Sequence, residues 1–138
     1  MPSDATMRVV LVDDDAGMRE ALRGLLAEHP DIEVVGEVAD GRAAVECMLE
    51  LRPTLVLMDV VMTGMGGIEA TRLVLEALPS VQVIGLSLHD DRHFVEAMRA
   101  AGASGYLLKD RAHEELAQAM RVVAAGGTCW PSGPDGPS

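Results

Sequence analysis

Aromatic side chains are nearly absent from this chain, which has one Trp, one Tyr and one Phe, 2% of its residues. A core here must be built from Val, Leu, Ile, Ala and Met. Cysteine is scarce too: Cys47 and Cys129 stand far apart and form no CxxC pair. That spacing disfavours a zinc site and predicts free thiols. No apolar run approaches the roughly 18 residues that a membrane helix needs. Met1 to Thr6 is short and polar, with no signal-peptide core, so a cytoplasmic location without membrane attachment is expected. Basic residues are outnumbered, 11 against 22 acidic ones, for a net charge of −11. Such a surface repels phosphate backbones and argues against nucleic-acid binding by this chain itself. The same acidity serves solubility, and it is compatible with a cation site. The nine Met residues read as core and loop filler.

What is present is 49% hydrophobic residues over 138 positions, enough for one well-filled domain. The apolar residues fall into alternating patterns. Strands are predicted at Arg8–Val12, Ile32–Ala39, Leu55–Met58, Val81–Leu86 and Gly105–Leu108. Between and after them lie amphipathic helices. The inner faces expected are Met18, Leu22, Leu25 and Leu26 in the first, and Val45, Met48 and Leu49 in the second. The third would turn Ile68, Thr71, Leu75 and Leu78 inward, and the fifth Leu116, Met120 and Val123. The fourth helix follows His89-Asp90-Asp91. His89, His93 and His113 read as surface helix residues rather than ligands. Strict alternation with short connections means a parallel sheet covered by helices on both faces. Residues 1–7 read as a tail, 8–127 as one domain, and 128–138, rich in Pro, Gly and Ser, as a linker or disordered end.

Chemistry collects at the carboxyl ends of the strands, where open α/β sheets bind ligands. Asp13 and Asp14 follow the first strand, Asp59 ends the third, Ser87 the fourth and Lys109 the fifth. Each has a plain structural reading. Asp13 to Asp15 can cap the first helix, Ser87 can be a turn residue, and Lys109 a solvated charge. All of those holding at once on one sheet edge is the less economical account. Clustered carboxylates repel unless a cation neutralises them, and oxygen ligands suit Mg²⁺. No His or Cys joins the set, which disfavours softer metals. The combination suits phosphoryl transfer. Asp59 would be the nucleophile, Asp13 and Asp14 would hold the metal, and Lys109 and Ser87 would grip the phosphoryl oxygens.

Four segments carry a resemblance: VDDD at Val12–Asp15, LMDVVM at Leu57–Met62, GLS at Gly85–Ser87 and GASGYLLKD at Gly102–Asp110. Together the chain resembles a response-regulator receiver domain from about Arg8 to about Gly127. Asp rather than Pro after the lysine resembles the NarL/FixJ type, whose members usually carry a LuxR-type helix-turn-helix domain. The resemblance implies the α/β flavodoxin-like fold, a doubly wound parallel sheet in the order 2-1-3-4-5. It implies that a sensor histidine kinase phosphorylates Asp59. It implies Mg²⁺ held by Asp14, Asp59 and the backbone carbonyl of Val61, with Asp13 acting through water. Ser87 and Lys109 would contact the phosphoryl group, and Ser87 and Tyr106 would form a switch pair. The face of the fourth helix, fifth strand and fifth helix would then recruit a partner, a second copy of the chain being one candidate. DNA would be reached only through an output domain beyond Trp130, where the family's linker begins.

Two residues depart from the family pattern in the loop after Asp59. Thr63 stands where proline is usual, and Gly66 where an acid or amide is usual. Both changes predict a looser loop. They keep open a second function, a receiver-like module that docks or dimerises without phosphorylation. A metal-dependent hydrolase would want a second acid two residues after the nucleophile. Val61 stands there, which disfavours that reading and predicts a phosphoacceptor with slow self-dephosphorylation rather than a conventional enzyme.

Overall fold

The computed structural model describes residues 7–88 and 91–131. Its strands are β1 (Met7–Val12), β2 (Ile32–Val38), β3 (Leu55–Asp59), β4 (Gln82–Ser87) and β5 (Gly105–Leu108). They alternate with α1 (Ala16–Leu26), α2 (Gly41–Leu51), α3 (Gly67–Ala77), α4 (Arg92–Ala100) and α5 (Ala112–Ala124). A short 3₁₀ turn, Lys109–Arg111, joins β5 to α5. All strand pairs are parallel, in the order β2-β1-β3-β4-β5. This is the flavodoxin-like doubly wound sheet expected. Every carboxyl end therefore points to one edge, with β1 and β3 adjacent at the centre.

The central strand is buried at all five positions because helices cover both of its faces. Val56 and Met58 pack into the layer shared with α2, α3 and α4. Leu55 and Leu57 pack into the opposite layer, with Leu22 and Leu26 of α1 and Leu116, Met120 and Val123 of α5. Edge strand β2 is covered less, and most of its residues are half-buried.

The helix faces differ from expectation where helices crowd. Leu49 is exposed, and Ala44 and Met48 turn inward on α2. On α3, Ala70, Thr71 and Val74 are buried, while Ile68 and Leu75 are only half-buried. Close approach explains the shift: a Cβ on Gly41 would lie 2.9 Å from that of Ala70, so small side chains occupy the α2–α3 contact. The large ones are pushed to its flanks.

The chain ends also differ. Met7 is the first residue of β1, so only Met1–Thr6 of the expected tail remains, and that lies outside the described residues. After α5 the backbone returns along the free edge of β5. The Tyr106 N–H donates to the Cys129 carbonyl (2.8 Å), and the Cys129 N–H donates to the Ser104 carbonyl (3.1 Å). Trp130 sits 4.3 Å beneath the Arg99 guanidinium of α4. A sheet edge presents unpaired N–H and C=O groups, and this segment satisfies some of them. The rest of the expected linker, Ser132–Ser138, lies outside the described residues, as does His89. His93 and His113 are exposed, and both cysteines are free thiols.

Candidate functional site

The site begins with the way β1 and β3 end. After Val12 the chain turns into α1, and Asp15 caps that helix by accepting from the N–H of Gly17 (2.9 Å). The capping reading of the acidic triplet therefore holds for its third member. Asp13 is held beside it: its Oδ1 accepts from the Asp15 N–H at 2.9 Å, and its carbonyl accepts from Arg19 Nη1 at 2.6 Å. Its other oxygen, Oδ2, has no partner in hydrogen-bonding geometry and is faced by the Lys109 ammonium at 3.0 Å.

Asp59 is the last residue of β3 and is only 4% exposed. Its Oδ1 lies 3.2 Å from Lys109 Nζ. The loop that follows is shut by the Gly67 N–H donating to the Val60 carbonyl at 3.0 Å. Gly67 is there for space, since a Cβ would stand 2.1 Å from the Asp59 carbonyl oxygen.

The structure brings the three acids expected as a set together. One oxygen each of Asp13, Asp14 and Asp59 lies within 4.8 Å of the others. Ser87, buried, and Val61, 55% exposed, line the same cleft of about 250 Å³ with Lys109. Tyr106, 1% exposed, is packed into the core on the α2–α4 side. Its ring is thus inward, on the strand next to Ser87, whose Cα pairs with that of Leu108.

Electrostatics follow from burial and from like charge. Burial, then the neighbouring Asp13 charge, pushes the Asp59 carboxyl up to about 6, against the opposing pull of Lys109. Burial alone would lower Lys109, but its bond to Asp13 and the charges of Asp59 and Asp13 hold it above its ordinary value. Asp14, the exposed member, is held below the usual carboxylate range, chiefly by the Thr63 N–H.

Thr63 is the contact that sequence reasoning missed. Its N–H and its Oγ1 both donate to Asp14 Oδ2, each at 3.1 Å. The departure from proline had pointed to a looser loop. Instead the loop is tied at this residue, because threonine supplies two donors that proline lacks. The signal was available as a hydroxyl residue four positions after Asp59.

A parallel doubly wound domain with an acid cluster and one lysine at its carboxyl edge defines a class of small α/β modules with a polar cleft at that edge. The comparisons are more specific. Residues 9–121 match the response regulator receiver domain family. The chain is 41% identical over 121 residues to the transcriptional regulatory protein DegU of Brevibacillus brevis, covering 88% of this chain and 51% of DegU. It is 42% identical over 120 residues to LiaR of Bacillus subtilis, covering 87% of this chain and 57% of LiaR. Among solved structures, a LuxR-family two-component response regulator from Aurantimonas sp. SI85-9A1 superposes with a TM-score of 0.87 at 36% identity, covering 94% of this chain and 91% of that one. The receiver domain of NarL from Mycobacterium tuberculosis gives 0.84 at 33% identity, covering 89% and 99%. The chain belongs to the response-regulator receiver family, in its NarL/FixJ branch. It spans about half the length of the curated relatives it matches.

Proposed function

We propose that this domain is a phosphorylation switch in which Asp59 takes a phosphoryl group from the phosphohistidine of a sensor kinase. The observation that carries this reading is a buried carboxylate at the end of the central strand, 3.2 Å from Lys109 and beside two further acids. An Asp59 oxygen bonds to phosphorus as the phosphorus–nitrogen bond breaks. The electron pair leaves with the imidazole, which takes a proton from solvent. Lys109 faces the side of the carboxylate where phosphoryl charge would build up, and Ser87 lines the same cleft.

The donor set fits Mg²⁺. It is all oxygen, it gathers three carboxylates within 4.8 Å, and the buried Asp13 Oδ2 is met by the Lys109 ammonium at 3.0 Å, which leaves this oxygen room for a cation. Asp13, Asp14, Asp59 and the Val61 carbonyl would hold the ion. When bound, it would supply positive charge to the phosphoryl oxygens. The residues themselves would align the nucleophile: the Val61 N–H contacts Asp59 Oδ1 at 3.4 Å, and Lys109 Nζ lies 3.2 Å from the same oxygen.

Ser87 and Tyr106 would relay the modification to the face of α4, β5 and α5. A groove of about 680 Å³ beside β5 and α5 is lined in part by Tyr106 and Trp130. Transcriptional output, as in DegU, would follow through a DNA-binding domain outside this chain.

The test is intact-mass analysis after incubation with acetyl phosphate and Mg²⁺. One phosphoryl adduct is expected, dependent on Mg²⁺ and absent from Asp59→Asn. No adduct, or one that survives the substitution, would overturn the reading and favour a module that docks without phosphorylation. In the same samples the adduct should decay slowly, because Val61 offers no polar side chain to orient water. Loss within seconds would contradict that.

A further inference from the structure

We propose that Thr63 is a positioning residue for the cation site, fixing Asp14 so that its carboxylate stays among the ligands. The inference rests on the Mg²⁺-binding reading above. Asp14 is exposed, unlike Asp13 and Asp59, so packing does not hold its side chain. Two further carboxylates each have an oxygen within 4.8 Å of one of its own, and like charges at that range disfavour holding it there. Thr63 opposes both effects. Its N–H and its hydroxyl meet the same oxygen, Asp14 Oδ2, at 3.1 Å, from a residue 49 positions away in sequence. Two donors on one carboxylate oxygen fix its orientation as well as its position. Carboxylates that ligate metals commonly need such partners, and losing one costs about 10- to 100-fold in affinity.

The contact also ties the loop after Asp59 to the end of β1. Thr63 lies beyond Val61, whose carbonyl is a proposed ligand, so one residue sets both the free acid and the near end of that loop. A proline at position 63 could make neither bond, having no N–H and no hydroxyl. Here the hydroxyl makes up for the missing constraint on φ, and it does so at the ligand itself.

Mg²⁺ binding should be measured by titration calorimetry, with no phosphodonor present, on the wild type, Thr63→Val, Thr63→Ser and Thr63→Pro. Thr63→Val keeps the N–H and the shape but loses the hydroxyl, and should bind about 10-fold more weakly. Thr63→Ser keeps both donors and should stay within about two-fold of the wild type. Thr63→Pro loses both donors and should be the weakest. Equal or tighter binding by Thr63→Val, or failure of Thr63→Ser to match the wild type, would overturn the inference and leave the switch reading standing. A wild type that binds no Mg²⁺, or binds it equally well as Asp59→Asn, would overturn the switch reading and this inference with it.

Discussion

Asp59→Asn is expected to be more stable than the wild type when divalent cations are removed with EDTA at pH 7.5. The reason is the environment of the acid. Its carboxyl is raised from an ordinary 3.8 to about 6 by burial and by the charge on Asp13. A carboxyl whose folded value lies above its unfolded value binds its proton more tightly when folded. Folding is therefore favoured below about pH 4, and that advantage is lost as pH rises through 6. Above that, the wild type holds an ionised carboxylate in an unfavourable place. A shift of about 2 units corresponds to about 3 kcal/mol at most. Asparagine carries no charge at any pH, and Lys109 retains Asp13 at 3.0 Å as its partner. The variant should gain about 2 kcal/mol, roughly 5 °C in Tm. The gain should be largely gone near pH 4, where Asp59 is almost wholly protonated in the folded state and close to half protonated in the unfolded one. Thermal unfolding from pH 4 to 8 checks it, and a variant less stable than the wild type at pH 7.5 would refute it. Mg²⁺ should narrow the gap. At ten times its Kd, a ligand that binds only the folded state adds about 1.4 kcal/mol to the wild type.

Lys109→Met should act in the opposite direction. The Lys109 ammonium stands 3.0 Å from Asp13 and 3.2 Å from Asp59, both buried, and among the described residues it is the only cation paired with either side chain. Methionine keeps length and apolar contact but leaves two buried carboxylates facing each other. Removing one partner of a buried ionic cluster costs about 3–5 kcal/mol. The sign with pH follows from the lysine being held above its ordinary 10.5. Its contribution is fully present at neutral pH and is lost only as pH rises through that raised value. Chemical denaturation at pH 7.5 in EDTA should therefore show a loss of about 3 kcal/mol. Adding Asp59→Asn to Lys109→Met should recover a large part of it, since one of the two stranded charges is gone. Strictly additive effects would show that the three groups do not act as a unit.

Much of this architecture is legible in the sequence itself. Five short apolar runs alternating with amphipathic helices point to a parallel sheet covered on both faces, and four of the five end in polar or charged residues. Parallel strands put all their carboxyl ends on one edge. Asp13, Asp14, Asp59, Ser87 and Lys109 were therefore placed together by strand endings alone. The segments around them carried the family. Position in a strand is a local property, and the sheet converts it into proximity without further information.

Tertiary structure alone decided the rest, and in each case the cause is a contact between distant parts of the chain. Which face of α3 is innermost depended on Gly41 and Ala70 meeting across two helices, so the small residues won over Ile68 and Leu75. The segment at Cys129 looked like a linker by composition but is tied to β5, because an open strand edge needs partners. Whether Asp59 sits raised or lowered depended on how far burial and Asp13 outweigh Lys109, a balance set by distances of a few ångströms. Thr63, read from the family pattern as a loosened position, became an anchor only once Asp14 was seen within reach of both its donors. Sequence spacing determines which groups share an edge. Hydrogen bonds across 49 residues and the burial of individual carboxylates exist only when the chain is folded.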